Sequence, residues 1–182
     1  ADFQAIRRQP VVKAVGLTNV QVTPRELAET VLLRFDIAEA GIRELSFLLP
    51  ETLQDALVHV PLLLEKTVEP VAEQPGLVRF HLQLQDDVIG PLAVLVEHTG
   101  PLVDQTHAAA VPQIETGTTE HRFVVLENQG RDEIVVTESE GVRELSRQQA
   151  AWRELASILP GTATQAYLVA ADAVAPQLGI GL

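Results

Sequence analysis

The chain has 182 residues, 46% of them hydrophobic and 21% charged, with a formal net charge of −12 and neither Cys nor Met. That length and balance suit one large or two small globular domains with a real core, and argue against disorder. The acidic charge argues against partners that need clustered Lys and Arg, namely nucleic acid and anionic lipid, and the absence of Cys removes thiol catalysis, disulfides and Cys-based zinc sites.

Cations are scattered apart from Arg7 and Arg8. No apolar run reaches the ~20 residues that a spanning helix needs, so no membrane contact is expected from this segment. A chain without a start Met that closes on the uncharged "APQLGIGL" reads as a piece of a longer polypeptide.

In chain order, Val11 to Leu17 is the first strand candidate. "NVQVTPRELAETVLLRF" then reads as a hairpin: Val20 and Val22 lead in, Pro24 to Glu26 turn, and a strand leaves from Leu27. Thr23, Pro24 and Glu26 also fit a helix start, with a cap, a first-turn Pro and a capping-box acid. The period-two run that follows favours the hairpin, with Val31, Leu33, Phe35 and Ile37 facing one way and Arg34 and Asp36 the other.

Strands are also expected at Arg43 to Leu49, Leu57 to Leu64, and in "LVRFHLQLQ" at 77–85, where Val78, Phe80, Leu82 and Leu84 alternate with polar residues. Further candidates are Leu92 to His98, Arg122 to Glu127, Glu133 to Thr137 and Gln165 to Ala170, split by turn-forming "LPET", "DDVIGP", "HTGP" and "ENQGRD". One segment departs from this pattern. "SRQQAAWRELASILPG" has Ser146 as cap, Gln149 three residues on, and Ala151, Leu155, Ile158 and Leu159 near helical spacing before Pro160 and Gly161. It predicts a helix over 147–159, docked by Trp152.

The expected fold is mainly β: an antiparallel, Ig-like β-sandwich over 1–105, then a smaller β part over 108–182 that carries the helix. "GIRELS" at 41–46 and "GVRELS" at 141–146 are either an internal duplication or coincidence in a chain rich in Arg, Glu and Leu.

No catalytic constellation is expected. The five histidines, His59, His81, His98, His107 and His121, lack the close spacing of a zinc site. Asp104, His107 and Glu115 could gather across a loop, but with Ser only at 46, 139, 146 and 157 and no nucleophile elbow, triad chemistry has no foothold. Asp86-Asp87 and Asp132-Glu133, with Glu138 and Glu140, are the carboxylate clusters where a loop-bound calcium would sit, and solvated turns explain them equally well. No nucleotide-binding glycine loop occurs, no cofactor is expected, and aromatics at 4% are too few for a stacking platform.

The runs "VTPRELAETVLLRFDIAEAGIRELSFLLPETL" and "VPQIETGTTEHRFVVLENQGRDEIVVTESEGVREL" resemble the repeated β-sandwich modules of very large exported or membrane-anchored bacterial proteins. The resemblance implies an extracytoplasmic scaffold, in the cell envelope or secreted, and carries no catalytic residues. The reading is a non-catalytic structural or protein-interaction module whose partners are other domains of the same polypeptide or another protein. The alternative is a ligand- or carbohydrate-binding accessory domain, calcium-stabilised.

Overall fold

A computed structural model describes residues 7–159 and 165–182. It is built from β-strands in two sheets, with one α-helix near the C-terminus. The first strand, β1 (Val11–Val22), turns at Pro24 and Arg25 into β2 (Glu26–Pro50). The turn closes with Thr23 N–H donating to the Glu26 carbonyl (3.0 Å), while Thr23 Oγ1 accepts from Glu26 N–H (3.0 Å). Thr23 therefore caps a hairpin and not a helix, as the period-two run predicts.

Residues 31 to 37 behave as the alternation requires. Val31, Leu33, Phe35 and Ile37 are buried, and Arg34 and Asp36 are exposed. The strand does not stop at "AEAG", however. It runs 25 residues to Pro50 and pairs along its length with the equally long β5 (Leu77–Pro101). Its acids and Gly turn a corner without ending the strand. Ile37 pairs with Gly90, Ile42 with Val88 and Glu44 with Gln83, so surplus residues fall first on β2 and then on β5. Such offset bulges bend a ribbon without ending it. Gly41 sits in the corner because a Cβ there would come 2.9 Å from the Asp87 Cβ.

The same face of the ribbon stays inside after the corner. Leu33, Phe35, Val94 and Val96 from one arm pack with Leu45, Phe47, Leu49, Phe80, Leu82 and Leu84 from the other in the main core. Phe47 and Phe80 are paired across the strands and stack with ring centroids 5.2 Å apart.

Along the far side of β5 lie β3 (Leu57–His59) and β4 (Leu63–Pro70). A short β6 (Thr106–Ala108) and β7 (Gln113–Ile114) follow, and β8 (Thr118–Asn128) then returns beside β1. That ladder is parallel over ten residue pairs, from Lys13↔Thr118 to Val22↔Asn128, in an otherwise antiparallel arrangement. One sheet thus draws strands from both sides of the division expected at 105–108.

Beyond β8 come β9 (Val135–Glu140), β10 (Val142–Glu144), α1 (Ala150–Ile158), β11 (Gln165–Val169) and β12 (Gln177–Gly181). The large sheet runs β10-β11-β8-β1-β2-β5-β3, with β4 also on β5 and β7 on β2; the small one runs β6-β12-β9. Successive residues of β8 serve opposite faces. Val124 and Leu126 meet Leu178 and Ile180 of the small sheet, whereas Phe123 and Val125 meet Leu155 of α1.

The helix begins three residues later than its sequence signals predict. Gln149 is extended and precedes the first helical residue, and its side-chain Oε1 accepts from Ser146 N–H (3.2 Å), half of a capping box formed one turn early. Pro160 and Gly161, expected to end the helix, lie outside the described residues.

The two copies of the hexapeptide have different settings. Residues 41–46 lie within β2, and Arg43 bridges Asp87 (3.2 Å) and Asp86 (3.5 Å) at the corner. Residues 141–146 contain β10 and lead to α1, starting from Gly141 at φ 66°.

Candidate interaction edge

The segment 57–64 was expected to be one strand, but Pro61 divides it. β3 covers Leu95 to Glu97 of β5 and β4 covers Val78 to Leu84, leaving Asp86 to Val94 with no strand on that side among the described residues. Between them, Leu62 adopts a left-handed φ of 59° and its carbonyl accepts from Gln85 N–H (2.7 Å). Leu64 is the extra residue of a bulge, since Leu63 pairs with Leu84 and Glu65 with Gln83.

The consequence is an apolar edge. Leu57, Leu64 and Ile89 are exposed by 64%, 61% and 63%, and Leu62 by 49%. Single exposed leucines are ordinary, but four large exposed aliphatics on one side of β5, in β3, β4, their connection and the uncovered stretch, make this side a candidate contact surface. A left-handed leucine also costs ~1–2 kcal/mol relative to a right-handed one. The usual protections of an edge strand are present only in part, as Glu65, Lys66 and Pro70 of β4. Because these side chains carry little of the core, Leu57→Thr and Leu64→Thr are expected to change unfolding free energy by no more than about 0.5 kcal/mol each in urea titrations.

The other sequence candidates fall as follows. Asp86 and Asp87 sit at the β2–β5 corner on Arg43. Asp132 and Glu133 lie beyond β8, where the Asp132 carbonyl accepts from Asn128 Nδ2 (2.7 Å). Asn128 pairs with Val22 near the other end of the sheet, so the two acidic pairs are not brought together. No group of three His, Asp or Glu side chains with metal-holding geometry occurs among the described residues.

Asp104, His107 and Glu115 do not converge either. His107 Nε2 faces Glu29 Oε2 at 3.2 Å, and Glu115 is held by Arg79 (2.8 and 3.0 Å) and the Ser46 hydroxyl (2.6 Å). Three more histidines sit singly against a glutamate: His59 on Glu97 (3.1 Å), His81 on Glu44 (3.8 Å), and His121, whose Nδ1 lies against the Glu154 carboxylate without hydrogen-bond alignment.

Glu29 is a buried polar residue that the alternation places in advance, because it shares the phase of Val31 and Leu33 on the apolar face. Its Oε2 accepts from Ala110 N–H (2.7 Å), while the Ala110 carbonyl accepts from Thr18 Oγ1 (2.6 Å). Residue 110 has no strand partner, so two buried side chains satisfy its backbone in place of a ladder.

The Arg79–Glu115 clamp fixes β7 beside β2. The Arg79 hydrogen bond, with a smaller one from Ser46, holds the Glu115 carboxyl below its usual value near 4.5, against partial burial, which acts the other way. A carboxyl lowered on folding adds stability above its unfolded value, and that stability is lost as pH falls through the folded value. Arg79→Met is therefore expected to lower the melting temperature at pH 7 and to converge with wild type as the pH falls below the ordinary carboxylate range. Curves that stay parallel through the acid range would contradict the assignment.

No family model matches the chain, and no curated protein sequence does. Solved structures similar to it include native yeast LTA4 hydrolase (11% identity, TM-score 0.45) and native leukotriene A4 hydrolase from Saccharomyces cerevisiae (10%, TM-score 0.44), each matched over 94% of this chain. The chain spans 28% of the length of either hydrolase. A type I cohesin–dockerin complex from Clostridium thermocellum matches 69% of this chain and 99% of its own, at 10% identity and TM-score 0.33. Likenesses of this strength assign neither family nor activity.

Proposed function

We propose that the chain is a non-catalytic interaction module, docking through its β3–β4 edge onto another domain of its own polypeptide or onto a separate protein. The observation that carries this reading is the exposure of Leu57, Leu62, Leu64 and Ile89 on the side of β5 that β3 and β4 leave partly uncovered, with Leu62 in a backbone conformation unfavourable for leucine. Exposed aliphatics favour a contact, because each one that becomes buried contributes ~1.5–3 kcal/mol.

The absence of chemistry is part of the proposal. It is supported by histidines that meet glutamates one by one and by serines used structurally: Ser46 donates to Glu115 and Ser157 to the Glu154 carbonyl. No described helix is long and apolar enough to cross a membrane. The setting we favour, a bacterial envelope or secreted assembly, rests on the resemblance of the strand pattern to exported modules.

Site-specific photo-cross-linking in the intact protein tests the proposal. A photoreactive residue at position 64 should give a discrete adduct that is lost with Leu57→Thr, while one at the exposed Glu138 on β9 should give none. Equal labelling at both positions, or an adduct insensitive to Leu57→Thr, would remove the edge as the contact.

A further inference from the structure

Most buried or half-buried groups in this molecule have an evident partner, but Arg122 lacks an acidic one. It lies on β8, and half-burial shifts its guanidinium downward through desolvation. Its nitrogens donate only to carbonyls, Nη1 to Pro112 (3.2 Å) and Nη2 to Ala170 (3.5 Å), and no carboxylate reaches it among the described residues. Arg79, also held by more than one hydrogen bond, has the carboxylate of Glu115. A partly desolvated guanidinium bonded only to neutral carbonyls keeps the capacity to pair with an anion.

The surroundings are concave. Arg122 lines a depression of about 210 Å³ together with Gln113, Ile114, Glu120, Val169 and Ala173. This is smaller than the ~300 Å³ at which drug-sized ligand pockets begin, so it suits a fragment or the end of a chain. Strand geometry makes the opening: the β1–β8 register shifts between Ala14 and Val15, leaving Glu120 as the unpaired residue of a bulge next to His121 and Arg122. Glu120 itself leans toward Lys13 (3.9 Å) and keeps a negative charge in the wall.

We propose that this depression binds a single carboxylate on Arg122. One guanidinium opposed by one glutamate favours a monoanion, and the small apolar lining residues Val169 and Ala173 suit a short aliphatic stub. The carboxylate belongs either to a free small acid or to the C-terminus of a peptide.

The test is titration of the folded chain with acetate and with N-acetyl-Gly-Ala at constant ionic strength in chloride, followed by amide chemical shifts. Saturable shifts confined to residues 113–122 and 169–173, absent in Arg122→Met, are the expected result. If the peptide binds more tightly than acetate, the site is a C-terminus receptor; if not, it takes free acids. Because Arg122→Met also removes two hydrogen bonds and can unfold the chain, Glu120→Gln gives a second reading in the opposite direction. It is expected to tighten acetate about two- to fivefold, the size of one exposed charge interaction. Shifts that stay linear in acetate, or an affinity indifferent to Glu120→Gln, would overturn the proposal.

Discussion

Phe80→Ala lowers the free energy of unfolding by about 3–5 kcal/mol, the range for a large aromatic removed from a well-packed core. Phe80 is fully buried and stacks on Phe47, its cross-strand partner, with the ring planes 6° apart. The pair lies inside the curl of the β2–β5 ribbon, so the space it vacates is bounded by both arms. The corner at residues 37–44 and 83–90 fixes how far those arms can close, which keeps the cavity open and the cost high. Phe80→Leu retains most of the volume and is expected to cost less than half as much. Urea unfolding measures both; a loss below about 1 kcal/mol for Phe80→Ala would mean that the two arms do not enclose a common core.

Gly117→Ala is the second large effect, expected at about 3 kcal/mol or more, from left-handed strain and steric overlap acting together. Gly117 has φ 78°, and a Cβ there would lie 2.5 Å from the Val12 carbonyl oxygen and 2.7 Å from the Val12 Cβ. Backbone meets backbone, so no rotamer relieves the clash. The residue stands just before β8 begins its parallel ladder with β1, and moving it disturbs the register of ten pairs. Gly76→Ala is the control: φ is 88°, but nothing lies within 4 Å of the added methyl, so only the ~1–3 kcal/mol of conformational strain applies. The difference between the two variants isolates the close approach of β8 to β1.

Much of this architecture is legible in the residues. Alternation of Val31, Leu33, Phe35 and Ile37, and of Val78, Phe80, Leu82 and Leu84, identifies two core strands and their inner faces, because period two is imposed by strand geometry itself. The helix is legible from Gln149, Leu155 and Ile158 for the same kind of reason. What local pattern does not carry is which strands pair. "IAEAG" and "DDVIG" read as turns because each holds acids and a glycine, yet opposite each other they make one corner in a continuous ribbon. The parallel return of β8 to β1 depends on a long crossover and leaves no local mark.

The candidate edge was hidden by a similar effect. "LVHVPLLL" reads as one strand, and only the pairing partners show that it is split at Pro61, with Leu62 and Leu64 exposed beyond it. Glu29 was open to discovery, since its phase places a carboxylate on the apolar face of β2. The Arg122 depression was not, because it needs Pro112, Ala170 and a bulge at Glu120, brought together only by the fold.

The β3–β4 edge is tested most directly by the affinity of the cross-linked partner, once purified, for the wild-type chain and for Leu57→Thr/Leu64→Thr. If these leucines are buried in the contact, the double variant binds at least about tenfold more weakly at unchanged melting temperature, which is ~1.4 kcal/mol of lost burial. Equal affinity for the two chains, both folded, would contradict a contact made through this edge.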